Sequence, residues 1–351
     1  MSKVIAAAAV AAAVAVGAGG AAASGTLVAY NVYPLVSDGT AVQAPLTDTS
    51  LVNGWGLSAS ATSPWWTSNA GTSTSTLYTG GGSKNALTVT VPGGPTGTVA
   101  NPSTTDFAVS QGSATGAARF LFDTLGGQVL GWTPTVNGTA AVVAVDNSSA
   151  GAEYTGLAVA NDRLYAADFH NARVDSFDAS FKPLGLPFKD PNIPAGWAPF
   201  GIQTLNGNIY VTYAQQDKTK KFSVAGGGLG YVDEFTPDGQ FVARIASKGN
   251  ARAPLNAPWG LAMAPSSFGA YSGDLLVGNF GNGRISAYAQ ANGKWVYKGQ
   301  LRVASGSPIV IDGLWAIAFG NGATAGPTSN LYFLAGPTGG KHGLFGFIAA
   351  G

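Results

Sequence analysis

The chain has 351 residues, 46% of them hydrophobic and only 10% charged, and its formal net charge is +1. No basic run exceeds the cluster of Lys218, Lys220 and Lys221, so phosphate neutralisation offers little binding energy and no nucleic-acid partner is expected. The absence of cysteine excludes disulfides, thiolate metal sites and thiol nucleophiles.

At the start of the chain, Lys3 precedes an apolar stretch from Val4 to Val16, and small residues end at Ala21-Ala22-Ala23. This is the pattern of a secretory signal peptide with an Ala-x-Ala cleavage site, spanning residues 1–23. A bilayer core requires about 20 strongly apolar residues, and this alanine-rich stretch falls short of that. The expectation is an exported, periplasmic or extracellular monomer that begins near Ser24, forms one domain over residues 24–351 and has no transmembrane span.

Beyond Ser24 a short motif of a small residue followed by an apolar residue recurs after an aromatic or polar lead-in. The copies are Trp55-Gly56-Leu57, Thr155-Gly156-Leu157, Phe200-Gly201-Ile202, Trp259-Gly260-Leu261 and Trp315-Ala316-Ile317. A degenerate copy is expected near Phe107-Ala108-Val109, which brings the count to six. Within a unit, alternating runs are joined by polar turns, as in Arg163 to Asp168, then Phe169 to Ala172, then Arg173 to Phe177. Such runs are hairpin signals, and strand-built repeats of this length read as propeller blades. The 51 glycines agree with a turn-rich all-β chain. The last unit, from Leu314 to Ile348, has only three strands, and a strand from Leu27 to Val36 is expected to complete it and close the ring.

Three runs carry a further resemblance: Tyr33 to Asp38, Thr47 to Leu57, and Trp65 to Tyr78. It continues through Ala167 to Arg173, Tyr213 to Asp217, and Gly230 to Asp233. Over these residues the chain resembles an uncharacterised family of exported bacterial NHL-like β-propeller proteins. The resemblance implies a six-bladed all-β propeller and carries no established reaction or catalytic residue. Some relatives carry a C-terminal sorting segment, and because this chain stops at Gly351, free release is the expectation.

In a four-stranded blade, the residues leading into the inner strand share a face with the turn between the second and third strands, so function should gather around the channel mouth there. The expected ligand-binding face is Asn53, Trp55, Asp168, Tyr213, Trp259, Asn279 and Trp315, with Trp197 as a further lead-in aromatic. Asn53, Glu153, Asn256 and Asp312 occupy similar places in four blades and could converge on the axis, where hard oxygen donors would suit Ca²⁺ or Mg²⁺. Turn capping is the favoured alternative for the same side chains, because Asp and Asn commonly serve it before strands. Glu153, His170 and Asp312 are the catalytic candidates, a paired carboxylate or a turn histidine serving acid–base chemistry. The glycine-rich stretch from Gln215 to Gly228 is either a lid over the mouth or a solvated loop.

No Gly-x-Ser-x-Gly elbow, His-Glu-x-x-His helix or dinucleotide fingerprint occurs. The sequence therefore favours a non-enzymatic extracytoplasmic binding or scaffold module with a glycan or protein partner. The alternative is a metal-dependent hydrolase or lyase with its site at the channel mouth.

Overall fold

The computed structural model describes residues 29–250 and 252–351, so the signal-peptide reading lies outside the described residues, as do Leu27 and Val28. The described residues open with β1 (Tyr30–Ser37) and a two-residue β2 (Leu46–Thr47). Blade 1 follows as β3 (Gly54–Ser58), β4 (Trp65–Asn69), β5 (Thr74–Tyr78) and β6 (Lys84–Thr90). Blade 2 begins with β7 (Pro95–Ala100), then makes an excursion through the hairpin β8 (Ala108–Gln111) and β9 (Ala114–Ala117). It is completed by β10 (Phe120–Thr124), β11 (Gln128–Trp132) and β12 (Val142–Asp146).

Blade 3 comprises β13 (Tyr154–Ala160), β14 (Arg163–Asp168) and β15 (Arg173–Phe177). Blade 4 comprises β16 (Trp197–Leu205), β17 (Asn208–Gln215), β18 (Tyr231–Phe235) and β19 (Phe241–Ala246). Blade 5 comprises β20 (Pro258–Met263), β21 (Leu275–Asn279), β22 (Ile285–Ala291) and β23 (Lys294–Gln300). Blade 6 comprises β24 (Leu314–Phe319), β25 (Leu331–Ala335) and β26 (Leu344–Ala350). β1 pairs antiparallel with β26 as the outer strand of blade 6, so the two ends of the described chain lock the ring in one sheet. That closure protects what would otherwise be a free edge.

One expected element is displaced. The inner strand of blade 2 is β7, with Thr96-Gly97-Thr98 standing where blades 1, 4 and 5 carry aromatic-Gly-apolar. Phe107 adopts a left-handed φ of 57° and leads into the excursion hairpin, outside the four-stranded sheet. Threonine had replaced both side chains that make the motif visible.

The recurring small residue has a packing cause. The six inner strands crowd one axis, and a Cβ placed on Gly56, Gly97, Gly201 or Gly260 would fall under 3.0 Å from backbone of the next inner strand. Around Gly56, Gly97 and Gly260 the axial void shrinks to about 20 Å³, about the size of one water. The channel is therefore pinched shut in its middle, leaving two separate mouths.

Candidate functional site

At the end where the inner strands begin, six equivalent positions point at the axis: Trp55, Thr96, Thr155, Phe200, Trp259 and Trp315. Four are aromatic and pack together. Trp55 and Trp315 stack with centroids 3.5 Å apart, Trp259 meets both edge-on, and Phe280 stacks on the other side of Trp315 at 4.0 Å. The Trp259 N–H crosses the axis to the Thr155 carbonyl at 2.7 Å. Blades 2 and 3 supply threonines, and the missing ring volume is left as space.

That space is a cavity of about 230 Å³, lined by Asn53, Trp55, Glu153, Phe200, Phe280 and Trp315 among others. One wall comes from Lys221, Phe222 and Ser223 of the glycine-rich insertion. The insertion is a structured hairpin. Val224 N donates to Gln215 O at 2.8 Å, and the Asp217 carboxylate accepts backbone N–H groups from Lys221 and Phe222. Asn256 Oδ1 holds Gly226 N at 2.7 Å, and Gln216 Nε2 reaches Phe169 O at 2.6 Å. Phe222, at the cavity wall, has 69% of its surface exposed.

The polar complement of the cavity is incomplete. Asn53 Oδ1 and the indole Nε1 atoms of Trp55 and Trp315 are buried without hydrogen-bond partners. Glu153 is half-buried, and desolvation pushes its carboxyl up to about 7, against the nearby positive charge of Lys221.

Asn53, Trp55, Glu153 and Trp315 thus share the cavity, while the other expected residues do not line it. Asp168 Oδ1 accepts the backbone N–H of Glu153 at 3.2 Å, and Asn279 Oδ1 does the same for Asn256 at 2.9 Å. Both brace the turn that presents the lead-in. Asp312 is exposed and accepts Thr338 N at 2.7 Å, and Asn256 is committed to the insertion hairpin. The four expected oxygen ligands therefore do not converge, and among the described residues no three His, Asp or Glu side chains are grouped so as to hold a metal ion. His170 packs by Gly151, outside the cavity lining.

Tyr213 is buried inside blade 4, where desolvation holds its hydroxyl well above the ordinary value. Trp259 plugs the axis, and Trp197 packs edge-on against Tyr231 at 4.8 Å while Phe200 takes its expected place. The sequence reading missed Phe200, Phe280 and Phe222. The register of Phe200-Gly201 with Trp55-Gly56 was the signal for the first, whereas only the folded insertion reveals Phe222.

This arrangement defines a six-bladed β-propeller with one partly enclosed, aromatic-lined mouth. The chain belongs to the family of uncharacterized protein R648 of Acanthamoeba polyphaga mimivirus, to which it is 35% identical over 306 residues, covering 83% of this chain and 74% of that protein. A second mimivirus relative, uncharacterized protein L690, is 32% identical over 285 residues, 77% of this chain and 74% of that one. These relatives are viral, and they lend no support to the bacterial origin that the sequence resemblance implied. No protein-family model matches the chain. Among solved structures, a Bacteroides thetaiotaomicron protein of unknown function superposes with a TM-score of 0.58 at 15% identity, covering 91% of this chain and 76% of that one. At such identity the likeness shows the fold alone. Among the described residues, no helix is long and apolar enough to cross a membrane.

Proposed function

We propose that this chain is an exported binding propeller whose mouth cavity takes a small, neutral, hydroxyl-rich ligand, with a sugar ring as the best chemical fit. The observation that carries the reading is the set of three partnerless buried polar atoms, Asn53 Oδ1, Trp55 Nε1 and Trp315 Nε1, on residues of one cavity. Each unpaired group costs about 1–3 kcal/mol, which a ligand offering both donors and acceptors would recover. Phe222 and Phe280 supply apolar surface for the carbon face of a ring. Glu153, poised near neutrality, can donate or accept a hydrogen bond without imposing a full charge.

A metal-dependent hydrolase or lyase has less support, because its expected ligands are divided between the cavity and turns elsewhere. Export rests on Lys3, the Val4–Val16 stretch and the alanines that follow. N-terminal sequencing of the secreted protein should begin near Ser24.

Tryptophan fluorescence and calorimetric titration with glucose, galactose and N-acetylglucosamine test the ligand class. A saturable signal that Trp315→Phe weakens about fivefold, one hydrogen bond's worth, supports the reading. Absence of saturation with every neutral sugar at millimolar concentration would end it.

A further inference from the structure

The pinch at Gly56, Gly97 and Gly260 leaves a second mouth where the inner strands end. It opens into a funnel of about 290 Å³ whose chemistry differs from that of the first. Leu205, Leu261, Met263 and Phe319, from blades 4, 5 and 6, make an apolar arc around it. Ser58 and Trp65 line it from blade 1. Trp65 is almost wholly buried, and its Nε1 N–H has no acceptor. Ser58 Oγ accepts Ala100 N at 2.9 Å, which leaves its own O–H free to donate. Asn321 also lines the funnel, but its side chain is spent on the backbone of Ser60, Ser63, Ala323 and Ala325. None of the lining side chains is ionisable.

We propose that this funnel is a second ligand site, specific for a small neutral amphiphile whose head is a hydrogen-bond acceptor, such as a ketone or ester oxygen. The donors of Trp65 and Ser58 take the head, and the arc on blades 4 to 6 takes the hydrocarbon body. A charged head finds no counter-charge there and pays for desolvation. The size limits the guest to a short chain or a single ring system.

The test uses the full mature chain, with 2-octanone, octanoate and octylammonium as probes read by amide NMR shifts. 2-Octanone is expected to saturate and to move resonances of Leu57, Gln203, Leu261 and Ala318. The charged analogues are expected to bind about tenfold more weakly or worse. Trp65→Phe keeps the ring, loses the N–H and should weaken ketone binding about fivefold. Ala59→Trp, at a partly buried position where the inner strand ends, narrows the funnel and should abolish binding, giving a second reading if Trp65→Phe lowers the melting temperature. Trp315→Phe, at the other mouth, should leave ketone binding unchanged, which keeps this site separable from the proposed sugar site. The idea is overturned if 2-octanone fails to saturate, if octanoate binds equally well, or if Ala59→Trp leaves ketone binding intact.

Discussion

Blades 1, 4, 5 and 6 turn an aromatic ring toward the axis at the lead-in position, whereas blades 2 and 3 turn a threonine there. The aromatic sector behaves as core: Trp55, Phe200, Trp259 and Trp315 belong to one buried cluster with Phe169 and Leu334. The threonine sector runs on hydrogen bonds. The Thr96 hydroxyl reaches both Asp123 Oδ1, at 2.7 Å, and the Tyr154 carbonyl, at 2.8 Å. The Thr155 hydroxyl donates to Phe200 O at 2.8 Å. A ring with six large lead-ins would be plugged on every side. The cavity exists because two adjacent blades exchanged ring volume for polar contacts, and the difference teaches that blade asymmetry, more than any one residue, makes the site.

The strongest challenge to this comparison is to the pinch that both sectors share. A Cβ on Gly201 collides with the Trp259 carbonyl, while one on Gly156 meets nothing closer than 3.2 Å. Gly201→Ala should therefore cost about 3 kcal/mol in urea unfolding and Gly156→Ala about 1 kcal/mol or less. Equal costs would show that the axis is less tightly packed than described.

Next in size is the polar contact of the threonine sector. Asp123 is wholly buried, desolvation raises its carboxyl to about 6, and its Oδ2 has no partner. Thr96→Val removes the hydroxyl from Oδ1 and should destabilise the fold by about 2 kcal/mol. Trp259→Phe tests the link between sectors, since it removes the N–H bonded to Thr155 O. A loss of about 1 kcal/mol is expected from it.

The pH dependence of Glu153 sharpens the contrast further. Burial raises its carboxyl from 4.5 to about 7, so between these values the native state keeps a proton that the unfolded chain has released. Glu153 therefore opposes folding progressively as pH rises through that window. Glu153→Gln should flatten that part of the stability profile between pH 5 and pH 8, while the slope due to Asp123 persists in both proteins. Identical profiles would place Glu153 in water.

The smallest expected effect on stability is at the cavity wall. Phe222→Ser should leave the melting temperature nearly unchanged, because the ring is mostly exposed. It should nevertheless weaken ligand binding by about 1 kcal/mol if the ring packs against the guest. A fall in melting temperature with unchanged binding would assign Phe222 to the hairpin alone.

The sequence by itself determined the ring of six blades and its closure by an N-terminal strand, because strand periodicity, turn residues and a repeated small residue are local signals that survive in one dimension. It also marked Asn53, Trp55, Glu153 and Trp315, since the register of the motif places them at a common mouth. The inner strand of blade 2 was expected near Phe107 and lies instead at Pro95–Ala100, because Thr96 and Thr98 replaced the visible parts of that motif. Only the tertiary structure decided which polar side chains face the cavity and which brace turns. Asp168, Asn256, Asn279 and Asp312 read alike in sequence, but their partners are backbone groups brought near by folding. Whether the channel was open, and that the insertion folds back to raise Phe222 beside it, depended on contacts between blades far apart in the chain, which no local pattern encodes.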